Sequence, residues 1–336
     1  MFKIDPDDPD EGVIARAASI IREGGLVAFP TETVYGLGAD SMNERAIGRI
    51  FEAKGRPSDN PLIVHVDDRE KLARVAAEVS EKAERLMEKF WPGPLTLVLK
   101  RRPEVPPAVS AGLPTVAVRM PASRIALALI RHARTPVAAP SANASGRPSP
   151  TSASHVLADL GGRIDMILDG GATDIGIEST VLDVTTDPPI ILRPGWVTEE
   201  KLAGTIGALG PKATPERMGR SPGTRHRHYS PRARVALVEA GSPAMVKEAC
   251  EKYLKEGPVG FLGHTDPGIR DGRFNKIILG DSAGDYARSI YRALRELDEK
   301  NPSVIVVEGI GEGGEGAAVM DRLRRAAEEV KWTSNR

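Results

Sequence analysis

Apolar residues recur along this chain at two different rhythms, and the change of rhythm divides it. In residues 10–23, Val13, Ala17, Ile20 and Ile21 fall on one side of a helix that Gly24 and Gly25 end. Short apolar runs at 26–29, 62–66, 115–119, 137–139, 164–168, 180–184 and 190–192 predict buried strands, as does a weak alternation at 95–100. Helical spacing predicts helices over 43–52, 69–76, 79–90, 123–131, 154–160 and 197–209. Strand pairs interrupt the strand–helix alternation here, which argues for α/β with a mixed sheet. From residue 234 the rhythm becomes regular. Strands at 234–238, 259–262, 275–279 and 303–307 accompany helices at 243–255, 282–299 and 317–330. That order predicts a smaller, parallel, Rossmann-like α/β domain. Between the two lies a stretch of Gly, Pro, Arg and His with almost no aliphatic residue. The expected organisation is a domain over 1–209, a linker over 210–231 acting as an active-site lid, and a second domain over 232–336.

Composition narrows the class. With 336 residues, 40% of them hydrophobic and 27% charged, the chain reads as globular. Lys plus Arg equals Asp plus Glu at 46 each, so no global charge points to nucleic acid. A single cysteine, Cys250, allows no intrachain disulfide or thiolate metal site. Residues 1–8 are acidic and lack an apolar signal core, and no apolar run reaches membrane-spanning length, so a cytoplasmic protein with no membrane partner is expected.

The candidate chemistry gathers at predicted strand ends. Residues 51–61, FEAKGRPSDNP, hold Lys54 and Arg56 on a Gly- and Pro-punctuated turn, a mobile point charge beside a planar fork. They suit an anionic substrate; a solvated surface turn is the plain alternative. Residues 30–35, PTETVY, offer Thr31, Thr33 and Tyr35 hydroxyls and the Glu32 carboxylate after a strand, or else a helix cap. Residues 139–150, APSANASGRPSP, place Ser141 and Asn143 after a short strand among small residues that admit close backbone approach. Ser179 and Thr180 precede an apolar run, Arg119 ends one, and Arg193 opens a Pro-Gly turn. This recurrence suggests one convergent anionic pocket with phosphate as guest. Gly36-Leu37-Gly38 lacks the third fingerprint glycine and reads as a tight turn; the GIGEGGEG run at 309–316 carries acids that repel phosphate and also reads as a turn. The six histidines form no zinc-protease pattern, and no serine sits in a nucleophile elbow.

At these same places the chain resembles the Sua5/YrdC/YwlC family of L-threonylcarbamoyladenylate synthases, in its two-domain archaeal form. The resemblance rests on PTETVYGLG at 30–38, KGRP at 54–57, PLIVH at 61–65, WPGPLT at 91–96, VAVRMP at 116–121 and SANASG at 141–146. It continues through EST at 178–180, RPG at 193–195 and SPG…HYSP at 221–231, with His226 where the family often has Tyr. The family fold is a twisted mixed sheet around a concave cavity. The resemblance implies condensation of L-threonine, bicarbonate or CO2, and ATP to threonylcarbamoyl-AMP and pyrophosphate, for N6-threonylcarbamoyladenosine at position 37 of tRNAs that read ANN codons. It implies Mg2+ carried with ATP, no organic cofactor, no metal ligand among the side chains, and a Kae1/TsaD-type transferase downstream. By that reading Lys54 and Arg56 are catalytic and meet the α-phosphate and the carbamate. Threonine lies against Thr31, Tyr35, His65 and Ser179. The nucleotide meets Arg119, Ser141, Asn143, Arg193, Ser221 and His228. Two competing readings are an RNA-binding module without chemistry, consistent with a weak tRNA contact, and a carbamoyl transferase.

Overall fold

In the computed structural model, which describes residues 1–219, 221, 229–239 and 242–330, the apolar runs become the strands of two separate sheets. The chain divides into a first unit, residues 1–145 with 149–226, and a second, residues 146–148 with 227–336.

The first unit runs β1 (Phe2–Lys3), α1 (Glu11–Arg22), β2 (Val27–Pro30), β3 (Tyr35–Asp40), α2 (Glu44–Lys54), β4 (Ile63–His65), α3 (Arg69–Val75), α4 (Glu81–Phe90) and β5 (Leu95–Lys100). It continues with α5 (Pro107–Ser110), β6 (Thr115–Arg119), α6 (Arg124–Ala133), β7 (Val137–Ala138), α7 (Ala153–Leu160), β8 (Met166–Asp169), β9 (Thr180–Asp183), β10 (Ile190–Arg193), α8 (Glu199–Ile206) and α9 (Pro215–Met218). Its ten strands form one mixed sheet in the order β1-β8-β2-β3-β7-β4-β6-β5-β9-β10. Apolar cover on both faces explains why the strands read as unbroken apolar runs. Along β2, Val27 and Phe29 pack with Ile14, Ile21, Ile125 and Leu129 of α1 and α6. Ala28 between them joins the opposite cluster, with Leu37, Ile47, Ile50, Leu86 and Val118. Helix starts are set by side chains that accept an orphan backbone N–H: Asp10, Asn43, Asp68, Ser80, Ser123 and Thr198.

The second unit runs β11 (Arg234–Val238), α10 (Pro243–Leu254), β12 (Val259–Gly263), β13 (Phe274–Ile278), α11 (Ala283–Asp298), β14 (Val304–Glu308), α12 (Gly316–Ala326) and β15 (Glu329–Val330). The strands pair in parallel throughout, in the order β13-β12-β14-β11-β15. The fold class is therefore the one the rhythm predicts. The glycine run after β14 is a structural loop: Arg324 of α12 binds Glu312 of the loop and Glu239 beyond β11. Cys250 is buried in α10, and burial pushes its thiol up to about 12, with Glu308 and Glu251 adding to the shift.

Three local expectations are corrected, and one short strand is added. Gly36-Leu37-Gly38 is not a turn but the middle of β3, where Gly36 pairs with Phe29 and Gly38 with Val27. Glycine is a poor strand former, but here the missing side chain makes room for the Phe29 ring. The last helix ends at Ala326 rather than 330, and Glu329 and Val330 instead pair with Ala236 and Leu237 of β11, covering that strand's free edge. The linker, expected without helix or strand, contains α9. Phe2–Lys3, left unassigned by the pattern, is a short strand parallel to β8.

A Cβ on Gly38 would lie 2.7 Å from Phe29 Cε1 and 3.0 Å from Val137 Cγ1. Gly38→Val is therefore expected to destabilise the first unit by about 1–3 kcal/mol through overpacking. A lowered urea midpoint would register it; an unchanged midpoint would mean that β3 can shift away from Phe29 at no cost.

Candidate active site

The Lys54 turn is built by a helix ending. Gly55 takes the left-handed conformation at φ 60°, its N–H bonds Glu52 O at 3.1 Å, and Arg56 N–H bonds Phe51 O at 2.9 Å. This paired closure stops α2 and leaves Lys54 as its last residue, buried against the loop after β7. The Lys54 ammonium donates to the backbone oxygens of Ser141 and Asn143, each at 2.5 Å, and lies 3.5 Å from Asn143 Oδ1. Ser145 N–H returns a bond to Lys54 O at 2.8 Å, and Ser141 Oγ donates to Asn143 Oδ1 at 2.6 Å. The sequence suggests a lysine open to substrate; the structure shows one that holds the Ser-Ala-Asn loop. Burial first, then the charge of Arg56, pull its pKa well below the usual lysine range, and Asp159 opposes them. Arg56 is buried too and donates to the carbonyls of Asn60 and Pro61 at 3.3 and 3.1 Å.

A second cluster forms where β2 turns into β3. Thr31 Oγ1 donates to Val34 O at 2.7 Å and lies 2.8 Å from Thr33 Oγ1. Arg119, at the end of β6, donates to Thr33 Oγ1 at 2.9 Å, to Glu32 Oε1 at 2.5 Å and to Gly93 O at 3.1 Å. His65 is the register partner of Arg119 on the parallel β4–β6 pair, so both side chains leave the sheet on one face. Its ring meets Phe29 edge-on, with centroids 6.4 Å apart. Burial, then the charge of Arg119, lower the His65 pKa to about 3, so the imidazole is neutral at physiological pH. Two buried atoms here, Glu32 Oε2 and His65 Nδ1, have no hydrogen-bond partner among the described residues.

A third cluster centres on Ser179. Arg193, ending β10, donates from Nε and Nη2 to Ser179 O at 3.1 and 2.9 Å and from Nη2 to Ser179 Oγ at 3.2 Å. Thr96 Oγ1 lies 2.8 Å from Ser179 Oγ. Backbone bonds join the clusters. Ile175 N–H and Gly176 N–H bond Glu32 O and Thr33 O, Thr180 N–H bonds Pro94 O beside the Gly93 carbonyl that Arg119 holds, and Ala142 N–H bonds Tyr35 O.

The structure thus joins Lys54 directly to Ser141 and Asn143, Arg119 to Thr33 and through it Thr31, and Arg193 to Ser179. Tyr35 is fully buried with its hydroxyl donating to Gly171 O at 2.6 Å; burial and Asp169 raise its pKa, so it is a neutral phenol facing the backbone. Ser221 is buried, its N–H bonding Met218 O at 2.8 Å. His228 and His226 lie outside the described residues. Sequence reasoning passed over Thr96, which sits inside the quoted WPGPLT stretch, and Asp159, a buried residue of α7 that no motif marks. Clefts of about 540 and 300 Å³ open beside α1 and α6, lined in part by Arg131 and His132; no predicted site residue lines them. Among the described residues no group of three or more His, Cys, Asp or Glu could hold a metal ion.

A family model described as telomere recombination, covering Sua5, YciO and YrdC proteins, matches residues 19–195, and one described as the C-terminal domain of threonylcarbamoyl-AMP synthase matches residues 197–328. The chain is 49% identical to a threonylcarbamoyl-AMP synthase of Pyrococcus abyssi, over 95% of both chains. It is 46% identical to that of Bacillus subtilis, over 97% of this chain and 95% of the relative. The crystal structure of P. abyssi Sua5 complexed with L-threonine superposes with a TM-score of 0.90, at 46% identity, over 97% of this chain and 98% of that one. Matched along both units, the chain belongs to the Sua5/YrdC family in its two-domain form.

Proposed function

We propose that this protein is an L-threonylcarbamoyladenylate synthase, condensing L-threonine, bicarbonate or CO2, and ATP to threonylcarbamoyl-AMP and pyrophosphate. The observation that carries the reading is the full-length likeness to P. abyssi Sua5 complexed with L-threonine. The buried polar clusters agree with it. The chemistry needs no protein nucleophile: the threonine nitrogen bonds the carbon of CO2, a carbamate oxygen then attacks the α-phosphorus of ATP, and the bond to pyrophosphate breaks. The protein must bring three reactants together and offset negative charge while doing so.

Threonine is assigned to Thr31, His65 and Ser179, with the Tyr35 ring as wall, since its hydroxyl is already committed to Gly171. Neutral His65 can accept a hydrogen bond at Nδ1, and Glu32 Oε2 can accept another; a small ligand carrying an ammonium and a hydroxyl would satisfy both. Arg119 shares Thr33 with this cluster and is assigned to the junction between carbamate and nucleotide. Ser141, Asn143 and Arg193 are assigned to AMP, with Ser221 and His228 over it. Lys54 and Arg56 are assigned to the α-phosphate side, Lys54 through the loop that it holds. The buried carboxylates nearby are engaged, Glu32 through Oε1 by Arg119 and Glu178 by the Ser149 hydroxyl, and Glu32 Oε2 is a single open oxygen, so the donor set fits a metal that arrives on the nucleotide rather than one caged by side chains. Mg2+ bound to the triphosphate would neutralise the leaving group. The product feeds a Kae1/TsaD-type transferase acting on tRNA in the cytoplasm, where a weak tRNA contact of this chain would belong. No helix among the described residues is long and apolar enough to cross a membrane.

Residues 210–231 are assigned as a lid. The carbamate and the mixed anhydride both decompose in water, and a polar, basic segment can close over an anionic intermediate and reopen for release.

Three outcomes follow. Lys54→Ala should lower kcat/KM about 10²-fold or more in pyrophosphate release, and an unchanged value in a folded variant would remove Lys54 from the machinery. Serine keeps the hydroxyl and loses a methyl worth about 1–3 kcal/mol, so it should be a poor but measurable substrate, while 2-aminobutyrate should be rejected more strongly. Equal use of the two would refute the hydroxyl contact. ATP with threonine should slow tryptic cleavage between residues 225 and 232; equal rates, with full activity in a fragment of residues 1–209, would dismiss the lid.

A further inference from the structure

Asp159 has no part in the assignments above, yet it is buried beneath the loop on which they depend. It lies on α7 with 7% of its surface exposed, and its Oδ2 accepts the Ala144 N–H at 3.2 Å. Ala144 is the residue between Asn143, whose carbonyl the Lys54 ammonium holds, and Ser145, whose N–H bonds Lys54 O. The Ser-Ala-Asn loop is therefore gripped by two helices. From α2, Lys54 takes the carbonyls of Ser141 and Asn143; from α7, Asp159 takes the next N–H along. A buried cation and a buried anion hold one short loop through its backbone.

We propose that Asp159 is a positioning residue for the reaction: it fixes the 141–145 loop at Ala144, next to the Asn143 carbonyl that Lys54 holds, and its negative charge acts on the Lys54 ammonium through that loop. The proposal rests on the synthase reading and deepens it. Two charged groups act on Lys54, Arg56 from its own turn and Asp159 from α7, while the loop presents neutral carbonyls. Arg56 favours loss of the Lys54 proton and Asp159 favours its retention. An ammonium has three donors to place on loop oxygens; a neutral amine has two and no charge to strengthen them. Removing the Asp159 charge should therefore move the loss of the Lys54 proton to lower pH, and the loop with it. The sign is definite: activity should fail earlier on the alkaline side, with no corresponding change on the acid side.

The test is the pH profile of kcat/KM for ATP, read as threonine-dependent pyrophosphate release by the full-length protein. Asp159→Asn keeps the size and the acceptor for Ala144 N–H but not the charge. It should lower kcat/KM at least ten-fold at neutral pH and shift the alkaline limb down by about one pH unit, a ten-fold change in proton affinity. Asp159→Glu restores the charge and should return the alkaline limb to its wild-type position. A second arm replaces Lys54 by Arg, which keeps its proton throughout; in that background Asp159→Asn should no longer move the limb. A folded Asp159→Asn protein with wild-type kcat/KM and an unmoved limb overturns the proposal, as does a limb that moves equally in the Lys54→Arg background. Should Asp159→Asn not fold, Asp159→Glu decides: its longer arm should lower kcat/KM several-fold without moving the limb, and wild-type kcat/KM in that variant overturns the positioning role. Failure of the synthase reading is seen separately, as wild-type protein that releases no pyrophosphate with threonine.

Discussion

A guanidinium that cannot give up its proton must be answered wherever it is buried, and Arg119 sets the geometry of the first unit in this way. It is 3% exposed and divides its hydrogen bonds among Glu32, Thr33 and Gly93. Those three acceptors lie on two turns far apart in sequence, so one side chain locks the β2–β3 turn, the turn before β5 and the end of β6 into one corner. Breaking a buried pair of this kind leaves an uncompensated charge, at a cost of about 3–5 kcal/mol. The Ser179 segment attaches to the same corner through the backbone at Glu32, Thr33 and Pro94. The polar residues of the site are therefore held chiefly by one another, and among the buried atoms of the described residues Glu32 Oε2 and His65 Nδ1 are left open to a ligand.

The strands were the more legible part of the sequence, because burial on both faces makes each an apolar run with sharp ends. Residues 95–100 and 115–119 were legible to the residue as β5 and β6. What the pattern missed depends on partners distant in sequence. β3 contains two glycines whose local preference opposes a strand, and neighbours distant in sequence explain them: the Phe29 ring and Val137 at Gly38, and Ala139 at Gly36. β1 and β15 are two residues each, stabilised by the strands they border. In the site, residue types were visible but their commitments were not. The KGR turn announces two cations, yet nothing local indicates that Lys54 spends its donors on Ser141 and Asn143, or that the Tyr35 hydroxyl turns to Gly171. Asp159 was invisible for a different reason: a single carboxylate in a short helix carries no spacing signal, and only the fold brings Ala144 to it.

The two units solve the same packing problem differently. The first covers a long mixed sheet with several apolar clusters and leaves polar side chains concentrated at its turns. The second is a short parallel sheet with charged residues closing its loop ends, as Arg324 does between Glu239 and Glu312. Its regular rhythm follows from parallel strands joined largely through helices, an order that allows few alternatives and made its class readable from spacing alone.

The chain contains one thiol, and it lies in the middle of α10 inside the second unit. With the Cys250 thiol held near 12, almost none of it is the reactive thiolate at neutral pH, and no solvent path reaches it in the closed unit. A thiol reagent therefore reacts only in molecules whose second unit has opened. The rate of modification becomes a clock for that opening, in unmodified native sequence and without an introduced probe.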